Sequence, residues 1–364
     1  MVKVTQVPEE PNLMMHRYRS KSIFQQVLLF LLLAVTLTLS IGCNSNSPSE
    51  RIGQDGKPLQ SVALMLNWYP EAEHGGFYAA QVHGIFQQYG LDVQILAGGP
   101  SAPVAQELLT GRVQFAVGNA DDVLLFRQEQ ADIVALMAPI QNTPRCVLVH
   151  ADSQVKDLSQ LSGLTLQANV GRPFLNFMEH KGLLKDVKVV PFSGNVANFV
   201  TDPQTAIQAY SFSEPLLAKQ QGVETRALML SDIGFNPFAS CLIATGDYLR
   251  DNEDLVRRMV IACQLGWQKY LAEPDQTNAL ILTLNSQGMS AEALKFGAQQ
   301  IRPLCLPDGM NPEMVGQMQE SRWKTLADQF IELGLAAPDR IEPSKVFTTR
   351  YLQMKSQPQD SVKN

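Results

Sequence analysis

Cysteine is scarce in this chain, five residues in 364, and no two form a C-x-x-C pair or lie beside a histidine at metal-ligand spacing. Such a distribution argues against a bound metal. Long blocks of one charge are also missing: the net charge is −6 and acids and bases are interspersed. Nothing in that pattern supplies the basic footprint a nucleic-acid binder needs. There is no nucleophile elbow and no metal-binding helix motif. Gly98-Gly99-Pro100 lacks the G-x-x-x-x-G-K-[ST] order of a nucleotide loop and reads as a turn beside a cleft. With these classes set aside, the expected partner is a small molecule.

Hydrophobic runs are short as well. The longest, residues 27–41, falls below the roughly 20 apolar residues that a spanning helix requires. His16, Arg17, Arg19 and Lys21 precede it and Gly42-Cys43 follows, which is the layout of a signal peptide. Leu39-Ser40-Ile41-Gly42-Cys43 resembles a bacterial lipobox, with Ser40 and Ile41 departing from the usual residues. The resemblance implies a lipidated Cys43 as the mature N-terminus and a membrane attachment through that lipid. Residues 1–43 are therefore expected to be a lipoprotein signal peptide, and the Asn-, Ser-, Gly- and Pro-rich residues 44–58 a flexible tether. The other cysteines, Cys146, Cys241, Cys263 and Cys305, are expected to be buried free thiols, with Cys146 and Cys241 the pair to watch in an exported chain.

About 300 residues remain after the tether, enough for two cored domains. Apolar runs alternate with helical patterns: SVALMLN, a helix over 76–89, DVQIL, a helix over 102–110, QFAVG, a helix over 121–128 and IVALMAP. This order predicts a parallel sheet flanked by helices. It repeats as CVLVH, a polar helix start at Ser159, LTLQAN, a helix over 173–181, VKVVPF, a helix over 203–210 and TRALML. After ASCLIAT the pattern turns helical, over 251–271, 274–285, 291–301 and 312–332, with Met310, Met314 and Met318 expected as core. A helical tail of this kind serves best as a cover for the first lobe, so the chain should cross between lobes near 139–145 and 236–240. The expected organisation is lobe I at 59–143 with 240–350, lobe II at 144–239, and a polar tail at 351–364.

The most informative stretch is SVALMLNWYPEAEHGGFYAAQVHGIFQQYGL, residues 61–91. A strand ends in Asn67-Trp68-Tyr69-Pro70, and across a short loop Gly75-Gly76 opens a helix. A polar amide and two aromatics at a strand end beside a helix start point to a small-molecule site. The Gly118-Asn119-Ala120-Asp121 turn and the 169–173 segment, which contains Arg172, likewise join a strand to a helix and would face the same cleft. Asp121 could instead cap its helix, and Arg172 could contact a ligand or bridge the hinge.

Asn67, Trp68, Pro70, His74, Gly75, Gly84, Phe86, Gly90, Leu91 and Val93 together resemble the opening of substrate-binding proteins related to thiamine pyrimidine synthase. The resemblance continues through GRVQFAVGNADDVLLFRQEQADIVALMAPIQ and AYSFSEPLLAKQQG and thins after about residue 248. It implies a two-lobed periplasmic-binding-protein-like α/β fold (type II) that serves the permease of an ABC importer. The implied ligand is a thiamine-related pyrimidine; the wider superfamily also takes nitrate, sulfonates, taurine and riboflavin. On this reading Asn67 hydrogen-bonds the ring, Trp68 stacks on it, Tyr69 lies at the rim and His74 donates or accepts from the loop. Asn119 faces the cleft, and Tyr210 and Glu214 match an A-x-x-x-x-E-P segment whose acid faces the cleft. Plainer roles stand beside these: a turn residue at Asn67, core packing at Trp68, a helix cap at His74 and a surface acid at Glu214.

Eukaryotic members of the family synthesise the pyrimidine, consuming their own histidine and pyridoxal phosphate with iron. The C-C-C-F-C motif of those enzymes is absent here, and no lysine lies in the first strand or its loop. A binding protein with no cofactor is the expectation, and a pyrimidine-synthesising enzyme is its alternative.

Overall fold

The computed structural model describes residues 51–353 except 54, 55, 101 and 308. The expected signal peptide with Cys43, the first part of the tether and the tail after residue 353 lie outside the described residues.

Ten strands run in chain order as β1 (Gln60–Met65), β2 (Leu91–Leu96), β3 (Phe115–Gly118), β4 (Ile133–Met137), β5 (Arg145–His150), β6 (Thr165–Ala168), β7 (Lys188–Pro191), β8 (Thr205–Tyr210), β9 (Thr225–Met229) and β10 (Cys241–Thr245). They form two five-stranded sheets, ordered β2-β1-β3-β10-β4 and β7-β6-β8-β5-β9. Helices cover both, giving two α/β lobes. β3, in the middle of its sheet, is buried along its whole length; so is β4 at the sheet's end, where the 346–347 segment bridges to Ala135 and covers the edge. β7 carries Lys188 and Pro191 at an exposed sheet edge, where a missing N–H breaks no ladder.

Neither sheet is purely parallel. β1, β2 and β3 pair in parallel, but β10 enters antiparallel between β3 and β4. In lobe II, β5 enters antiparallel between β8 and β9. Both intruding strands follow a passage between lobes, so each arrives from the far side rather than by a right-handed βαβ crossover. The passages are residues 138–144 and 230–240. They are tied together: Ala239 N–H donates to the Ile140 carbonyl, and Asn236 accepts from Thr143 N–H at 2.8 Å while donating to Asn142 Oδ1 at 2.9 Å.

Three expected helices differ. Residues 203–210 are mostly strand β8, preceded by a helix at Ala197–Thr201, because TAIQAY sits buried in the middle of a sheet. The helix expected over 76–89 breaks at Gly84, whose φ of +67° ends helix α1 (Gly75–Val82) and starts a second short helix. The helix expected over 312–332 begins only at Glu320, after a single turn at Pro312–Met314. Met318 is buried, but Met314 is 37% exposed. Tyr351 and Leu352, assigned to the polar tail, are buried in the lobe I core. Cys146, Cys241, Cys263 and Cys305 are all buried free thiols.

The feature that positions the site is a helix pair in lobe I. The backbone of α1 approaches α2 (Glu253–Ala272) so closely that a Cβ on Gly76 would lie 2.1 Å from Trp267 Cγ, and one on Gly266 would lie 2.3 Å from the Gly76 carbonyl oxygen. Phe77, Trp267 and Tyr270 pack edge to face in the space that remains. No helix of the described residues is long and apolar enough to cross a membrane.

Candidate functional site

A cleft of about 740 Å³ opens between the lobes. Its lobe I wall begins where β1 ends. A side chain at Gly98 would strike the Leu66 carbonyl at 2.2 Å, so glycine there lets the Asn67–Tyr69 loop lie against the next turn, where Gly98 N–H donates to the Trp68 carbonyl. Asn67 Oδ1 lies 2.9 Å from His74 Nε2. An amide oxygen only accepts, so Nε2 carries the proton, and the Asn67 NH2 group is left for the cleft. The ring is fully buried, and burial pushes the His74 pKa down to about 3, so the imidazole is neutral.

Two acids from the same loop line the wall. Glu73 is 1% exposed; its Oε1 lies 3.2 Å from His74 Nε2, and its Oε2 has no hydrogen-bond partner among the described residues. Burial pushes the Glu73 pKa up to about 8, with Arg145 opposing and Glu214 and Asp122 adding to the rise. Glu71, also buried, is raised well above the carboxylate range by burial and by Glu73 and Glu214.

Helix α3 (Ala120–Gln128) supplies the next part of this wall. Asn119 caps it, and Asp122 Oδ2 returns to accept from Asn119 N–H at 3.0 Å. The Asn119 side chain faces two ways: Oδ1 accepts from Ser240 N–H at 3.1 Å, and Nδ2 donates across the cleft to the Tyr210 hydroxyl at 3.3 Å.

Lobe II answers from strand ends. Arg145 opens β5, is 8% exposed, donates from Nη2 to the Tyr210 hydroxyl at 3.1 Å, and lies about 5 Å from the centres of the Phe174 and Tyr210 rings. Glu214 starts helix α4 (Glu214–Gln220), and its Oε2 accepts from Tyr210 N–H at 2.7 Å. Burial raises its pKa. Arg172 precedes helix α5 (Pro173–His180) and reaches across to Asp121 Oδ2 at 3.3 Å and Asp122 Oδ1 at 2.8 Å. The lobes are thus joined across the cleft at two places.

Of the residues expected from sequence, Asn67, Trp68, Asn119, Arg172, Tyr210 and Glu214 line this one cleft. Tyr69 and His74 do not: Tyr69 packs edge to face on Trp68 with centroids 5.4 Å apart, and His74 stands behind Asn67. Asp121 is held in an ion pair rather than capping its helix. Sequence reasoning passed over Glu71, Glu73, Asp122 and Arg145. Arg145 carried a signal, a charge opening an otherwise apolar strand just after a lobe crossing. Glu71 and Glu73 looked like ordinary loop acids.

Two α/β lobes, two crossings and a cleft between them define a periplasmic-binding-protein-like fold. The aliphatic sulfonate binding protein SsuA of Escherichia coli superimposes with a TM-score of 0.61, at 15% identity, over 84% of this chain and 97% of that one. Residues 71–277, more than half of the chain, match the family described as NMT1/THI5 like, and the chain belongs to that family. The formylaminopyrimidine-binding protein of Halalkalibacterium halodurans is 25% identical over 262 residues, 70% of this chain and 77% of the relative. The riboflavin-binding protein RibY of Chloroflexus aurantiacus is 24% identical over 253 residues, 65% and 70% of the two chains.

Proposed function

We propose that this chain is the solute-binding component of an ABC importer, capturing a thiamine-related pyrimidine between lobe I (59–143 and 240–350) and lobe II (144–239) and delivering it to a membrane permease. The observation that carries the reading is one cleft in which Trp68 and Tyr210 offer aromatic rings while Asn67, Asn119 and Glu214 offer amide and carboxyl groups. A flat heterocycle uses both: ring stacking adds about 0.5–1.5 kcal/mol beyond burial, and the amides and acid address ring nitrogens and exocyclic amines. Relatives named for a formylaminopyrimidine and for riboflavin both take flat heterocycles. A sulfonate or nitrate is served less well, since Arg172 is held by Asp121 and Asp122 and Arg145 by the Tyr210 hydroxyl and two rings. Pyrimidine synthesis also has less support, because His74 is closed off behind Asn67 and no lysine lines the cleft among the described residues.

The charged, apolar and Gly42-Cys43 segments support an exported protein held at the membrane by lipid on Cys43, facing the periplasm or exterior. Mass spectrometry of the mature N-terminus tests this: a diacylglyceryl group on Cys43 is expected, and cleavage elsewhere removes the anchor. For the ligand, calorimetry with 4-amino-5-hydroxymethyl-2-methylpyrimidine, riboflavin and taurine is decisive. Binding of the aminopyrimidine, weakened about ten-fold by Trp68→Ala, is expected. Tight binding of taurine with none of the aminopyrimidine overturns the ligand assignment and spares the fold.

A further inference from the structure

Carboxyl groups in the cleft outnumber the cations available to them. Arg172 is committed to Asp121 and Asp122. Arg145 is turned to the Tyr210 hydroxyl and packed on two rings. Among the described residues the one ion-pair neighbour of Glu71, Glu73 or Glu214 is the His74 imidazole, which burial keeps neutral. Glu73, a residue 1% exposed, borders the cleft, and its buried Oε2 has no hydrogen-bond partner among the described residues. A buried polar atom left unmatched is costly unless something else satisfies it.

The groups around Glu73 come from every side. Asn67, Glu71 and His74 share its loop, Asp122 belongs to α3, Arg145 to β5, Tyr210 to β8 and Glu214 to α4, while Ser240 donates its hydroxyl to the Glu73 carbonyl at 2.7 Å. Of these only Arg145 is positive. Trp68 and Tyr210 border the same space, and the Tyr210 ring already holds the Arg145 guanidinium 5.1 Å from its centre, as an aromatic ring favours a cation.

We propose that Glu71 and Glu73 form a cation-selecting subsite on the lobe I wall, and that the ligand is held as a positively charged nitrogen base whose N–H edge meets these two carboxylates. The proposal rests on the heterocycle-binding reading and narrows it. A neutral ring would leave both acids protonated and Glu73 Oε2 unmatched; a charged amidine-like edge supplies donors and the charge that lets the acids ionise. Because Glu73 holds its proton to about pH 8 in the empty cleft, arrival of a cation displaces that proton to solvent. Capture is then an exchange of one positive charge for another.

The test uses the full chain and a matched pair of probes, 4-aminopyrimidine and its permanently charged 4-amino-1-methylpyrimidinium salt, in calorimetry at pH 8. The salt is expected to bind at least ten-fold more tightly than the neutral base. Its heat of binding should differ between Tris and phosphate buffers by the ionisation heat of the released proton. In the Glu71→Gln, Glu73→Gln double variant the affinity ratio should fall to about one and the buffer dependence should vanish. Binding of the neutral base with equal or weaker binding of the salt overturns the subsite and leaves the heterocycle reading intact. A preference for the salt that survives in the double variant also overturns it. Binding of neither probe overturns both readings together.

Discussion

Turn glycines at positive φ occur in both lobes, but among the described residues the glycines with no room for a Cβ fall in one lobe only. In lobe I, Gly75, Gly76, Gly98 and Gly266 each stand where a Cβ would fall within 2.1–2.3 Å of a ring or a carbonyl oxygen. In lobe II, Gly163, Gly171, Gly182, Gly194 and Gly222 have nothing within 4 Å of that position and are instead held at positive φ. The first set lets backbones touch, and the second lets the chain turn. Accordingly the lobe I wall of the cleft is backed by two helices in van der Waals contact, with Asn67 fixed by a fully buried His74. The lobe II wall reaches in from strand ends and helix starts through Arg145, Arg172 and Tyr210. One wall is built in advance; the other is brought to it.

Four perturbations sharpen that contrast. The largest effect is expected at Gly76→Ala, whose new methyl would overlap Trp267, a residue with no room to move: a loss of about 3 kcal/mol, seen as a clear drop in Tm by calorimetry. A neutral result would mean the helix pair is not rigid. Next comes Arg172→Ala. It leaves Asp121 and Asp122 facing each other and, after discount for an Arg172 side chain 28% exposed, costs the closed arrangement about 2 kcal/mol. Small-angle scattering should show a larger radius of gyration and calorimetry weaker ligand binding; unchanged scattering would mean the pair does not hold the lobes together.

An intermediate effect belongs to pH. Glu73, raised in the fold to about 8, contributes stability that is whole below pH 4.5 and lost as pH climbs to 8, and Glu71, Asp121 and Glu214 are shifted the same way. His74, lowered to about 3, acts oppositely: its contribution is whole above pH 6.5 and lost as pH falls toward 3. Between 4.5 and 6.5 the two oppose each other, and above 6.5 only the carboxyl contribution changes. Tm should therefore fall between pH 6.5 and 8.5, and Glu73→Gln should flatten that slope; a slope unaltered in the variant would assign the fall to other groups. The smallest effect is Gly171→Ala, about 1 kcal/mol for a φ of +83° with no clash. Should Gly171→Ala prove as damaging as Gly76→Ala, the contrast between lobes would collapse.

Most strands and helices were legible because each is a short apolar or periodic run bounded by turn residues. TAIQAY was not. Five of its six residues are buried, so the alternation that marks a strand is absent, and the run passes equally for a helix turn. The antiparallel entry of β5 and β10 was hidden for another reason: direction within a sheet depends on which lobe the chain has just left. At the site, the strand end at Asn67-Trp68 announced itself by composition. Glu71 and Glu73 did not, because a loop acid is ordinarily solvated and only the tertiary fold encloses these two. Arg145 was similarly concealed, as burying it requires Phe174 and Tyr210 from distant segments. Met318 is core as expected, but Met310 and Met314 misled through helical spacing, which Gly316 at φ +92° interrupts.

Ser240 links these observations. It is fully buried at the end of the second passage between lobes, and it is one of three non-glycine residues at positive φ among the described residues, at +53°. Its N–H holds Asn119 and its hydroxyl holds the carbonyl of Glu73. The end of this passage is therefore fastened to two residues that border the cleft. Thermodynamic reciprocity follows: whatever free energy a ligand lends to the closed angle between lobes, that angle returns as affinity. Ser240→Ala, which cuts only the hydroxyl link, is expected to lower this coupling, read as a smaller ligand-induced change in radius of gyration; an undiminished change would place the coupling elsewhere. A partner that touches nothing but the outer faces of the lobes would then sense whether the interior is occupied, with this serine as one of the links that carry the message.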